Sequence, residues 1–182
     1  MIGSFAPLRM TVFLMTLQQL NTLPRTGLAE ELRKCCGAAN WVNSMCEIFP
    51  VADEQTLFES AKTIWYSLSE ADWREAFTHH PKIGDVNSLK EKFASTSKWA
   101  EGEQGAVKQA GQATLEALAA GNAEYEQKFG YIFIVCATGK SAEEMLELLQ
   151  SRLPNSPEAE INIAMGEQDK ITRIRLEKLL AA

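Results

Sequence analysis

The chain has 182 residues, 46% of them apolar and 23% charged, with a net charge of −6. This composition predicts one globular domain with a substantial core and lacks the basic stripe that a phosphate-backbone partner requires, which argues against nucleic acid. Four cysteines without a CxxC pair read as reduced thiols, and two adjacent histidines without an HxxxH spacing argue against a zinc site.

Residues Met10 to Met15 are apolar but too few to span a bilayer, and no small-residue cleavage site follows Arg9. Met15 reads as the biological start, with residues 1–14 a disordered or non-native extension. Leu17, Leu20 and Leu23 make a short amphipathic piece before Pro24. Thr26 is expected to cap a helix with Glu30 and Glu31 in its first turn, ending at Gly37. A second helix runs from Asn40 to Phe49 and stops at Pro50. Asp53 caps a longer one, with Leu57, Phe58, Ala61, Ile64 and Trp65 at i, i+3, i+4 spacing. Ser69 and Asp72 read as a capping box opening the helix that carries Phe77.

That helix leads into His79-His80-Pro81-Lys82-Ile83-Gly84. A short helix is expected over Ser88 to Phe93. An alanine-rich helix from about Trp99 to Ala120 is expected to break at Gly121, where Asn122 would cap a further helix ending at Gly130. Tyr131 to Ala137 is the one non-helical apolar run and has strand character. Ser141 and Glu144 form a capping box for a helix to about Leu153. Ser156-Pro157 starts the last helix, with Ile161, Ala164, Met165, Ile171, Ile174 and Leu179 on one face. The prediction is a single all-α domain over residues 15–182, a multi-helix bundle with one short extended apolar segment near 131–137.

Three places can carry chemistry. An imidazole exchanges protons near neutral pH, and Pro81 forces His80 out of helical geometry, so the turn would hold one imidazole at a helix end. Its bland alternative is a helix stop with a solvated histidine. Glu103 and Gln104, flanked by small residues, can meet an amide or ureido group with both acceptors and donors, or can be a solvated helix face. Arg173 and Arg175 point to different sides of the last helix; either guanidinium could clamp a carboxylate, or both could be surface charge.

His80-Pro81-Lys82-Ile83-Gly84, Gly102-Glu103-Gln104, Asn122 to Ile134 with its Tyr-Glu-x-x-Phe-Gly core, and Ile174-Arg175-Leu176 occur in one order. In this the chain resembles the 2-oxo-4-hydroxy-4-carboxy-5-ureidoimidazoline (OHCU) decarboxylase family of urate degradation, from about Met15 to the C-terminus. The resemblance implies an all-helical homodimer without a cofactor that converts the product of hydroxyisourate hydrolysis into (S)-allantoin and CO₂. It implies His80 as the catalytic histidine, Pro81 lining the site, Glu103 and Gln104 binding the ureidoimidazoline, and Arg175 (alternatively Arg173) holding the carboxylate. Phe133, Ile134, Val135, Cys136 and Ala137 match a segment offering backbone hydrogen bonds to the ring. At Ala100 the chain departs from the serine common in the family, leaving one substrate hydrogen bond of about 1 kcal/mol unaccounted for.

In that substrate the departing carboxylate lies β to a C=N bond, which accepts the electrons and removes the need for pyridoxal, thiamine or a metal. His80 would take the C4 hydroxyl proton, protonate C5, or do both. Two other readings stand beside this one: a helical protein-interaction module with an exposed apolar patch, and a related lyase acting on another ureido substrate. The C-terminal Leu-Leu-Ala-Ala carries no peroxisomal tripeptide, so a cytoplasmic location is expected, with a small-molecule partner and neither nucleic acid nor membrane.

Overall fold

Helix ends are set largely by side chains close in sequence. The structure is a computed structural model that describes residues 15–80 and 104–180, with 104–110 described by backbone only. Its helices are α1 (Leu17–Thr22), α2 (Arg25–Cys35), α3 (Ala39–Ile48), α4 (Glu54–Ser67), α5 (Glu70–Thr78), α6 (Gln104–Phe129), α7 (Ala142–Arg152) and α8 (Pro157–Leu180), and no strand occurs among the described residues. The chain is all-α, as its sequence predicts. Asp53 accepts the Thr56 amide at 2.7 Å and opens α4. The Ser69 amide donates to Asp72 at 3.0 Å in the box that opens α5. Ser141 and Glu144 exchange hydrogen bonds of 2.7 and 3.2 Å at the start of α7. Each of these satisfies amides that the first helical turn leaves without partners.

Three expectations need correcting. Thr26 does not cap α2: Pro24 occupies the N-cap, and the Leu28 amide donates to its carbonyl at 2.9 Å, so Thr26 already lies in the first turn. The helix does not break at Gly121. It runs on to Phe129, and Asn122 donates back to the Leu118 carbonyl at 2.8 Å instead of capping a new helix. Helical glycine costs about 1 kcal/mol against alanine, but here it serves packing, since a Cβ at Gly121 would stand 2.7 Å from Leu149 Cδ2 in α7. Gly121→Val is expected to overpack this contact and cost about 1–3 kcal/mol in urea denaturation. Gly121→Ala should be near neutral, because its helix propensity offsets the displaced leucine methyl. Finally, residues 132–137 are non-helical but pair with no strand among the described residues. The segment expected at Ser88 to Phe93 lies outside the described residues.

Helix α8 packs across α2, α4 and α5, while α6 and α7 lie against each other. The core is rich in aromatic side chains, and both buried indoles are satisfied: Trp41 Nε1 donates to the Ala61 carbonyl and Trp65 Nε1 to the Met165 carbonyl, both at 3.0 Å. A second aromatic group joins the end of α5 to α6 and to the non-helical segment. In it Phe77 meets Tyr131 at 5.1 Å between ring centres, and Tyr125 meets Phe129 at 4.6 Å and Phe133 at 5.1 Å. Burying such rings removes a large apolar area from water and gives each a fixed neighbour geometry. Helix α5 also completes α3, whose N-cap Ala38 has no acceptor of its own: Glu75 takes the Ala39 amide at 3.0 Å, and Asp72 takes Asn40 at 2.7 Å. These contacts fix the place where α5 ends and the histidines begin.

Candidate active site

The two histidines diverge. His79 is the C-cap of α5, exposed, with Nδ1 3.1 Å from the Glu75 carbonyl oxygen. Its ring rests on the backbone of Gly37, where an added Cβ would come within 2.3 Å of His79 Cγ and 2.6 Å of His79 Cβ. No side chain fits there without moving the end of α5. Gly37→Ala is therefore expected to displace the histidine turn with little loss of helix content, checked by the imidazole NMR shifts of the two histidines beside far-ultraviolet circular dichroism.

His80 turns inward. Its Nε2 lies 2.5 Å from Gln168 Oε1 across 88 residues of sequence. Gln168 is fully buried in α8 and donates from Nε2 to Thr172 Oγ1 at 3.0 Å. A polar chain thus leads from the imidazole into the core. The fully buried Cys36 thiol is pushed up to about 11 by burial and so stays protonated at neutral pH. On its other side His80 borders a cavity of about 330 Å³, which Arg74, Phe77, Glu126, Tyr131 and Ile132 also line. Arg74 is held there by Glu70 at 2.7 Å and by the Phe129 carbonyl at 3.3 Å, and it lies over the Tyr131 ring.

The segment offered as a backbone platform, residues 133–137, is fixed by two side chains instead of a neighbouring strand. Arg152 Nη1 donates to the Ile134 carbonyl at 2.9 Å, and its guanidinium lies 4.7 Å from the centre of the Phe133 ring. The Cys136 amide donates to Glu167 Oε2 at 2.7 Å. Phe133 and Ile134 are buried; Val135, Cys136 and Ala137 are half-buried. Burial works against charge on Glu167, but the hydrogen bonds from Lys170 and the Cys136 amide outweigh it and hold its carboxyl below the ordinary value of 4.5. A carboxylate depressed by folding contributes stability above its ordinary pKa, and that contribution disappears as pH falls through the lower folded value. Stability should therefore decline below about pH 4.5, with a shallower decline in Glu167→Gln, measured by urea titration across the acid range.

The arginines separate as their spacing predicts. Arg173 is exposed, pairs with Glu177 at 2.6 Å and sits 3.5 Å over the Phe58 ring, beside a different cavity of about 230 Å³. Arg175 is half-buried and donates to the Cys35 carbonyl at 3.3 Å, at the end of α2. Burial pushes Cys35 up to about 12, with the Arg175 charge pulling the other way. Neither arginine lines the cavity beside His80. Pro81, Ala100 and Glu103 lie outside the described residues, as does the side chain of Gln104, the first residue of α6. Among the described residues no three His, Cys, Asp or Glu side chains are grouped as a metal site would need.

Sequence reasoning missed Arg74, Arg152, Glu160, Glu167 and Gln168. Glu160 and Gln168 leave one signal, since each falls among the apolar positions of α8 that face the core. A polar residue on such a face needs a partner.

The family model for OHCU decarboxylase matches residues 21–177. The uric acid degradation bifunctional protein TTL of Arabidopsis thaliana is 36% identical over 155 residues, covering 84% of this chain and 47% of the relative. The uric acid degradation bifunctional protein of Bacillus sp. (strain TB-90) is 24% identical over 173 residues, covering 91% of this chain and 32% of the relative. The chain thus spans half or less of the length of these curated relatives. A crystal structure of OHCU decarboxylase in the presence of (S)-allantoin superimposes with a TM-score of 0.68 at 34% identity, covering 84% of this chain and 99% of that one. With most of its length matched by the family model and by a relative at this identity, the chain belongs to the OHCU decarboxylase family.

Proposed function

We propose that this protein decarboxylates 2-oxo-4-hydroxy-4-carboxy-5-ureidoimidazoline to (S)-allantoin and CO₂, without a cofactor and with His80 as its acid–base group. The observation that carries this is His80, anchored on a buried side chain at the wall of a cavity of about 330 Å³, within a chain of this family. A structural neighbour was crystallised in the presence of (S)-allantoin, which supports the product.

The chemistry asks little beyond orientation and one directed proton. The C4–carboxylate bond breaks, its electron pair forms a C4=C5 double bond, and the C=N pair moves onto the ring nitrogen, which takes a proton from solvent. The C4 hydroxyl then loses its proton as C5 gains one. His80 serves both halves of that last exchange, and its fixed position selects the face of C5 that is protonated. In this reading Pro81, Glu103, Gln104 and the 133–137 segment hold the ureidoimidazoline, and Arg175, which does not line the cavity beside His80, must leave the Cys35 carbonyl to hold the carboxylate. Since the Cys136 amide is engaged by Glu167, its use by the ring requires Glu167 to yield.

A time course of circular dichroism at the allantoin band, with hydroxyisourate and its hydrolase supplied fresh, tests the proposal. Rapid appearance of one enantiomer, lost in His80→Ala, is expected. A slow racemic background alone would overturn it. An interaction module would instead carry a broad apolar patch, whereas among the described residues the large exposed hydrophobics are Tyr66 and Ile163.

The reaction is placed in the cytoplasm, in keeping with four unpaired thiols; no described helix is long and apolar enough to cross a membrane. A homodimer is expected from the family resemblance, and light scattering should then return twice the 20.2 kDa chain mass.

A further inference from the structure

Gln168 is fully buried on a largely apolar helix face that also carries Glu160 and Thr172, and it spends both ends of its amide on defined partners. Its oxygen meets His80 Nε2 at 2.5 Å and its nitrogen meets Thr172 Oγ1 at 3.0 Å. An amide oxygen accepts and cannot donate, so the imidazole nitrogen facing it must carry the hydrogen. A neutral imidazole has one N–H. With that hydrogen on Nε2, the basic nitrogen is Nδ1. The Thr172 hydroxyl accepts from the amide nitrogen at 3.0 Å, which matches the amide orientation that turns its oxygen to His80.

We propose that Gln168 is a positioning residue that holds His80 as its Nε2–H tautomer, so that the proton exchanged with substrate resides on Nδ1. The catalytic part rests on the acid–base role proposed for His80; the tautomer itself belongs to the resting protein. The charged groups facing His80 among the described residues are Arg74 from α5 and Glu126 from α6, across the cavity. The carboxylate of Glu75 is turned to α3, and α8 presents the neutral Gln168 and Thr172. A hydrogen-bond acceptor against Nε2–H also favours the imidazolium.

Long-range ¹H–¹⁵N correlation of the imidazoles tests this, since the chain has two histidines and His79→Gln assigns the other. Wild-type protein should show the Nε2–H pattern for His80, with a solvent-protected Nε2–H resonance. That resonance should vanish in Gln168→Leu, and the His80 titration midpoint should move down; Gln168→Glu should move it up. In turnover, Gln168→Leu should lower kcat about tenfold or more, with KM little changed. The acid limb of the pH–rate profile should follow the midpoint read by NMR, and Gln168→Glu should restore part of kcat. An Nδ1–H pattern in wild-type protein overturns the proposal without any variant, so a failure of Gln168→Leu to fold leaves it testable. A His80 midpoint that is unchanged or raised in Gln168→Leu also overturns it. Loss of decarboxylation in wild-type protein would sink the functional reading alone, and the NMR pattern would still decide this one.

Discussion

His80→Asn is expected to lower kcat about 100- to 10,000-fold, the usual contribution of a positioned acid–base group. The asparagine amide reaches only the nearer ring positions and leaves the buried Gln168 oxygen without Nε2, so thermal unfolding measured beside turnover separates the loss of chemistry from a smaller loss of stability. His80 is half-buried beside the cavity and lies 2.5 Å from its buried partner, which fixes the imidazole where the proton is exchanged. His79 supplies the internal control. It is exposed and tied to the carbonyl of Glu75 at the end of α5, where a charged histidine contributes about 0.3–1 kcal/mol through the helix dipole. His79→Asn should therefore cost a little stability and leave kcat within a few-fold. The pair of measurements is allantoin formation at saturating substrate and thermal unfolding. His80→Asn with turnover within tenfold of wild type would remove His80 from the chemistry.

Arg152→Ala or Glu160→Ala is expected to destabilise the protein by about 3–5 kcal/mol, because either change leaves a buried charge without its partner. The side chains are 7% and 0% exposed, and Arg152 Nε reaches Glu160 Oε1 at 2.7 Å. Around them the network is closed: Asn155 donates to the second Glu160 oxygen at 2.7 Å, and the Tyr125 hydroxyl donates to Glu160. Burial first, and then that bond to Glu160, push the Tyr125 hydroxyl well above its ordinary range, so it stays protonated. Against a typical domain stability of about 5–15 kcal/mol, the loss is a large fraction of the whole. Replacing both charges together, as Arg152→Met with Glu160→Leu, should recover much of it, since the pair carries its own desolvation cost. Urea denaturation of the two single variants and the double variant reads this directly. A single-variant loss under 1 kcal/mol would mean that water reaches the pair. Since Arg152 also holds the Ile134 carbonyl, the single variants should loosen the 131–137 segment, with faster amide exchange there than in α4.

What the sequence could be read for is what neighbours in sequence decide. Asp53, the Ser69–Asp72 pair and the Ser141–Glu144 pair each satisfy amides within three residues, so their caps are legible without a fold. The apolar spacing of α4 and α8 is legible for the same reason, as a helix repeats its face every few residues. The order of the histidine turn, the Glu-Gln pair and the Tyr-Glu-x-x-Phe-Gly stretch was enough to suggest the family. Tertiary structure decided the rest. Gly121 reads as a break because glycine weakens an isolated helix, but Leu149 of α7 lies where its side chain would be. The run from Tyr131 to Ala137 reads as a strand because its residues suit one. Its backbone groups found Arg152 and Glu167 before any second strand, and a period-two pattern cannot foresee that. Gln168, like Glu160, is a polar residue among apolar core positions of α8; it acquires a role only when α8 is laid beside the end of α5 and His80 is brought to it from 88 residues away. Pairings at that separation depend on how the helices pack, and no local rule contains them.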